Sequence, residues 1–247
     1  MPVTSLKLDY KSSMEIISTG LPALDKLFNG GGIYKGSSVL LTGTAGTAKI
    51  IVASHFALSS CLRNEPVLYF SFEESPDQLI RNMAPIGIDL NTQVKSGLLH
   101  IHVSRPSLQS LEKHLLSVHK KITEVNPGTV IIDPISSLLT VGSGSEVRAM
   151  LVRLMDFLKV NQVNSMCTSL THNKQGVHED ATVDAVSSLA DTWISLCNEV
   201  NHGETMRTLN IVKSRGRGHY TNPQRFIITD DGIVFKHKQD KQLTNIS

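Results

Sequence analysis

Short runs of apolar and β-branched residues alternate along this chain with longer stretches of helical periodicity, and that alternation constrains the fold more than any other feature. The strand candidates are Ser38 to Thr42, Val67 to Phe72, Leu98 to Val103, Thr129 to Asp133 and Ser165 to Leu170. Between them lie helix candidates at Ala48 to Arg63, Pro76 to Pro85, Ser107 to Val125 and Glu146 to Val160. Such alternation builds βαβ units, and therefore a mostly parallel sheet with helices on both faces. Two more strands, Thr192 to Leu196 and Thr208 to Val212, precede a pair at Arg225 to Ile228 and Ile233 to Phe235. That last pair flanks Asp230-Asp231-Gly232, a turn signal for a hairpin, so the C-terminal edge is expected to run antiparallel. The expected fold class is α/β.

A single such domain accommodates 247 residues, and 40% hydrophobic with 19% charged residues gives it a core. The domain is expected over residues 14–236, with 1–13 a linker or tail and 237–247 a polar C-terminal tail. A net charge of +2 gives the whole chain no large attraction for nucleic acid or an anionic membrane. Three widely spaced cysteines, Cys61, Cys167 and Cys197, read as reduced thiols. With no signal-peptide pattern and no long apolar run, the expectation is a cytoplasmic protein without membrane contact.

The run Gly43-Thr44-Ala45-Gly46-Thr47-Ala48-Lys49-Ile50 joins a strand to a helix, the context of a phosphate-binding loop. There, backbone N–H groups and the positive end of the helix dipole face phosphate, and Lys49 reaches the β- and γ-phosphates. The usual pattern G-x-x-x-x-G-K-S/T is broken twice. Ala48 replaces the second glycine, which costs little unless φ at 48 is positive. Ile50 replaces the hydroxyl residue that ordinarily ligates Mg²⁺, and it has no atom able to do so. A Gly-rich turn that binds nothing is the competing reading of the loop.

Asp133 ends a buried-strand pattern at the carboxyl edge of the sheet, where a carboxylate can hold a Mg²⁺-bound water; capping the next turn is the bland alternative. Glu73 and Glu74 leave another strand just before a helix. They either activate an attacking nucleophile or merely favour the helix N-terminus.

With these elements in order, residues 14 to 236 resemble the RecA-like ATPases of the KaiC family, and within it the C-terminal of two tandem domains. The resemblance extends over I-S-T-G-L-P-A-L-D25-K-L, N-G30-G-G-I-Y-K-G, F-E73-E74-S-P-D-Q78-L-I-R81-N82, D191-T-W-I and G203-E-T-M-R207-T-L-N-I-V-K213-S-R215-G. It implies a hexameric ring with ATP and Mg²⁺ between subunits, the nucleotide lying on Thr44 to Ile50 of one. Lys213 and Arg215 of its neighbour would contact the γ-phosphate, with Arg207 nearby. It also implies autophosphorylation, with Ser187 and Ser188 in the place of the family's phosphate-accepting hydroxyl pair and Thr182 in that of a third. Glu73 and Glu74 would then activate a serine as well as water, and Kai-type proteins would be partners.

Two other functional classes stay open at this point. A nucleotide-binding scaffold with little turnover is favoured by Ile50. A recombinase-like DNA binder is disfavoured, because aromatics are only 5% of the chain and the Asn173 to Ala181 segment sets Lys174 against Glu179 and Asp180. His172, His178, Glu179 and Asp180 lack clean metal-ligand spacing.

Overall fold

The structure, a computed structural model, describes residues 12–171, 186–201 and 204–236. A small hairpin of β1 (Ile16–Ile17) and β2 (Ile33–Tyr34) brackets α1 (Pro22–Asp25). The central strands are β3 (Ser38–Gly43), β4 (Val67–Ser71), β5 (Leu99–Val103), β6 (Thr129–Asp133), β7 (Asn164–Leu170), β8 (Thr192–Asn201), β9 (Glu204–Ser214), β10 (Gln224–Thr229) and β11 (Gly232–Lys236). The helices between them are α2 (Lys49–Leu62), α3 (Pro76–Met83), α4 (Leu90–Lys95), α5 (Leu111–Val125) and α6 (Gly144–Val160). The nine strands form one sheet in the order β11-β10-β9-β8-β3-β7-β6-β4-β5. From β8 to β5 every pair is parallel, whereas β8–β9, β9–β10 and β10–β11 are antiparallel, as the D-G hairpin at 230–232 suggests.

Each central strand sends alternate side chains to opposite faces, and both faces are buried. Val67 and Tyr69 of β4 join a core built with α2, α3 and α4, while Leu68 and Phe70 join a second core built with α5 and α6. The helix starts are set locally. Ser75 and Gln78 form a reciprocal cap with Pro76 in the first turn of α3, and Ser143 with Glu146 does the same for α6. Pro106–Leu108 forms a separate 3-10 turn, so α5 begins at Leu111 under a Ser110 cap rather than at Ser107.

The largest departure from the expected strands is at β8 and β9, of 10 and 11 residues, which run well past the predicted Thr192–Leu196 and Thr208–Val212. The additional residues are mostly polar, among them Asn198, Glu199 and Arg207, so they carry no apolar alternation to announce a strand. They pair with each other beyond Leu196, which is level with the end of β3 at Gly43.

The segment before β2 is locked onto α2. Gly20 has φ +85°, and a Cβ there would lie 2.2 Å from the His55 carbonyl oxygen, so only glycine fits. Next to it the Asp25 carboxylate accepts bonds from Ser18 Oγ (2.5 Å), Thr19 N (2.8 Å) and Thr19 Oγ1 (2.7 Å), and Thr19 is buried. Removing the carboxylate takes the acceptor from Thr19 N and leaves Thr19 Oγ1 only Leu21 O, at 3.5 Å. Asp25→Ala is expected to lower stability by about 2 kcal/mol, read from urea unfolding, while Asp25→Asn recovers part of the loss.

Candidate functional site

β3 delivers Gly43 to the carboxyl edge of the sheet, and the chain turns through 44–48 into α2. The first backbone hydrogen bond of that helix runs from Val52 N to Ala48 O (3.1 Å), and no side chain caps its N-terminus. The N–H groups of Lys49, Ile50 and Ile51 are thus the orphan donors of a 14-residue helix, an arrangement suited to an anion. The carbonyls of the turn are held from outside. Lys49 Nζ donates to Gly43 O (2.7 Å) and Thr44 O (2.8 Å), Asn198 Nδ2 to Ala45 O (3.5 Å), and Arg207 Nε to Gly46 O (3.0 Å). Thr47 is buried, with its hydroxyl on Thr44 O.

The loop opens on a cleft of about 470 Å³ whose lining includes Ala45 to Ile51, Glu73, Glu74 and Asp133. Four charged side chains named from the sequence, Lys49, Glu73, Glu74 and Asp133, therefore share one cavity. Asp133 is buried, and its carboxylate accepts from Tyr69 Oη (2.9 Å) and from Thr168 Oγ1. Burial pushes the Asp133 carboxyl above the usual carboxylate range, and the two hydroxyls work against that rise. Burial also lowers the Lys49 ammonium, with Asp133 and Glu73 opposing the shift. Glu73 is tied to the turn after β6 by Ser137 Oγ (2.9 Å). Glu74 caps nothing through its side chain but lies 3.5 Å from Asn82 Nδ2 of α3.

The two departures of the loop have different structural consequences. Ile50 is half-buried, packing against the apolar core while still lining the cleft. Ala48 sits at φ +77°, in the left-handed region that costs an L-residue about 1–2 kcal/mol, so the condition under which alanine is a costly replacement for glycine is met. The turn geometry demands the strained backbone, and alanine tolerates it only at that cost.

The basic residues divide. Arg207 lies on β9 opposite Asn198, beside the loop of its own chain. Lys213 and Arg215 are not in this cleft. Arg215 N bonds Asp191 O, and Asp191 N bonds Ser38 O, so Arg215 is level with the start of β3, five residues and roughly 16 Å of strand from Gly43. There Lys213 Nζ donates to Ser187 O, and Arg215 Nη2 to Ser188 O (2.6 Å). Asp191 fixes this edge, accepting from Ser38 N (2.9 Å) and Ser38 Oγ (2.8 Å) and pairing with Lys159 at 3.2 Å. The two serines are therefore gathered with Lys213 and Arg215, apart from the glutamates of the same chain. Thr182, His172, His178, Glu179 and Asp180 lie outside the described residues. Among the described residues no cluster of three metal-ligating side chains occurs, and no helix is long and apolar enough to cross a membrane.

Sequence reasoning missed Tyr69, Thr168, Ser137 and Asn198. The first two carried a signal: a tyrosine and a threonine in the middle of strands buried on both faces must find polar partners, and Asp133 is the acceptor in reach. The strain at position 48 has a direct check. Ala48→Gly is expected to leave stability unchanged or raise it by up to about 1 kcal/mol, whereas Ala149→Gly, on the exposed face of α6, should cost about 1 kcal/mol. Thermal unfolding of both variants reads the difference, and equal losses would contradict the assignment of strain to Ala48.

Comparison with known proteins accords with this geometry. The family model described as "ATPase: KaiC" matches residues 17–240. The circadian clock protein KaiC2 of Synechocystis sp. is 42% identical over 233 residues, covering 94% of this chain and 41% of that protein. The circadian clock oscillator protein KaiC of Picosynechococcus sp. is 32% identical over 235 residues, covering 95% of this chain and 45% of its own. That of Synechococcus elongatus is 31% identical over 235 residues, with the same coverage of 95% and 45%. The chain thus spans less than half the length of these relatives. On its matched length, its sheet order and its strand-loop-helix cleft, the chain belongs to the KaiC family of RecA-like ATPases.

Proposed function

We propose that this chain is the ATP-binding domain of a ring-forming protein that hydrolyses ATP and transfers phosphate to its own serines. The observation that carries this reading is the single cleft in which Lys49, Glu73, Glu74 and Asp133 meet the uncapped N-terminus of α2. A triphosphate lying on Thr44, Ala45, Gly46, Thr47, Ala48, Lys49 and Ile50 would gain the helix N–H groups, and Lys49 would leave its two loop carbonyls to meet the β- and γ-phosphates. Glu73 or Glu74 accepts the proton of the attacking hydroxyl as its oxygen bonds the γ-phosphorus and ADP departs.

The distance of Lys213 and Arg215 from the cleft of their own chain supports a role in a neighbour's site. In a closed ring that edge would face the next subunit's nucleotide, bringing two cations to the γ-phosphate and Ser187 and Ser188 to the next subunit's glutamates. Residues 14–236 form the domain in this reading, with 1–13 and 237–247 as its flanking segments.

Mg²⁺ fits this site only loosely. Ile50 offers no donor, and both Asp133 oxygens already accept from hydroxyls, although each retains a lone pair for a metal-bound water. Mg²⁺ keeps several waters and binds through substrate phosphates, so Asp133 would reach it indirectly. It would supply neutralisation of phosphate charge. The same features favour a second reading, in which ATP sets ring assembly and is turned over little.

Steady-state hydrolysis with Mg²⁺ and with chelator separates the two readings. Slow Mg²⁺-dependent turnover is expected, raised about tenfold by Ile50→Thr and lowered at least about a hundredfold by Glu73→Gln or Glu74→Gln. Turnover absent in both the unmodified chain and Ile50→Thr would leave only the scaffold. Peptide mapping after incubation with Mg-ATP should find phosphate on Ser187 or Ser188, and a chain that stays unmodified removes the kinase part.

A further inference from the structure

The turn at 187–188 is surrounded by cations from two separate elements. Lys213 of β9 and Arg215 just beyond its end bind the backbone of the turn, through the carbonyls of Ser187 and Ser188. Arg148 reaches it from α6 and binds a side chain, with Nη1 and Nη2 each 3.2 Å from Ser188 Oγ. The two serines are therefore not equivalent. Ser187 is half-buried and presents its carbonyl to a lysine, while Ser188 is exposed and presents its hydroxyl to both terminal nitrogens of a guanidinium.

Both terminal nitrogens of Arg148 therefore already face the oxygen that would carry a phosphate ester. Such an ester adds roughly −1.5 to −2 charge and three strong acceptors, and a planar fork meets two phosphate oxygens at once. We propose that Arg148 is the receptor for a phosphate on Ser188 of the same subunit, so that Ser188 is the serine whose modified state the fold holds. This rests on the reading that the 187–188 pair is the phosphorylated segment.

The nearby charges suit that role. Lys213 and Arg215 lie on the same turn, and the carboxylate beside them, Asp191, is already paired with Lys159 and Arg215, at 3.2 and 3.6 Å. Arg148 has other engagements too, so the phosphate wins the guanidinium by charge rather than by finding it idle. Once bound, it would link β8's leading turn to α6 by a charged pair in place of a neutral hydrogen bond.

The test does not depend on the chain phosphorylating itself. Phosphoserine is introduced during synthesis at position 188, or at 187 in a parallel protein, and each phosphate is titrated by phosphorus NMR. The second ionisation of the Ser188 phosphate is expected about half a unit below that of the Ser187 phosphate, since an adjacent cation favours the dianion. Arg148→Gln should raise the first and leave the second unchanged, and Arg148→Lys should restore part of the depression. The Ser187 phosphate in the same variants reports whether the fold has survived. A Ser188 phosphate whose titration ignores Arg148→Gln would overturn the proposal. A chain that never modifies itself with Mg-ATP, yet shows the Arg148-dependent shift, would sink the kinase reading and leave this receptor standing.

Discussion

β3 is hydrogen-bonded on both sides, parallel to β7 along Ser38–Gly43 and to β8 along Val39–Gly43, and the rest of the site takes its position from that pairing. It leaves Gly43 no freedom: a Cβ there would stand 2.7 Å from Leu196 O and 2.5 Å from Thr47 Oγ1. The chain must therefore leave the sheet at that point and turn back on itself. It does so through the left-handed residues Gly46 and Ala48, which aim the N-terminus of α2 at the cleft. Asp133 and Glu73 arrive at the same edge because β6 and β4 run parallel to β3 and end level with Leu41, two residues before its end. The acids, the lysine and the helix dipole are thus brought together by sheet register rather than by contacts among themselves.

The same register separates the charged groups of the chain between the two ends of the sheet. β9 runs antiparallel to β8, so the length that carries Arg207 to the Gly43 edge carries Lys213 and Arg215 to the other. A basic cluster and a serine pair thus lie at one edge, and the acids and the glycine loop at the other; in the proposed reading, repetition of the subunit around a ring joins the two. Within the loop itself, Lys49, Asn198 and Arg207 make four hydrogen bonds to carbonyls of the turn, and Ile50 packs against the core and offers no metal ligand.

Much of this was legible in the sequence because the informative signals are local. A strand running into glycines and then a helix can be read from consecutive residues, and so can a buried strand ending at Asp133. The antiparallel edge followed from Asp231-Gly232. What escaped reading depends on tertiary context. The extension of β8 and β9 is polar and has no hydrophobic period, so it became visible only as pairing between distant residues. The positive φ at Ala48 is imposed by the turn and has no trace in an alanine. Tyr69 and Thr168 could be suspected from being polar within buried strands, but Asp133 as their shared acceptor follows from strand order, which local pattern does not specify. Arg148 was seen only as part of a helix.

In the proposed function the loop from Gly43 to Ile50 holds a triphosphate chiefly through backbone N–H groups and Lys49, with Mg²⁺ a secondary contributor. Calorimetric measurement of ATP affinity, in Mg²⁺ and in excess chelator, for the unmodified chain and for Lys49→Ala, tests it directly. Chelation is expected to weaken binding less than about tenfold, while Lys49→Ala weakens it more than about tenfold in either condition. Binding that vanishes without Mg²⁺, or that is indifferent to Lys49→Ala, would contradict it.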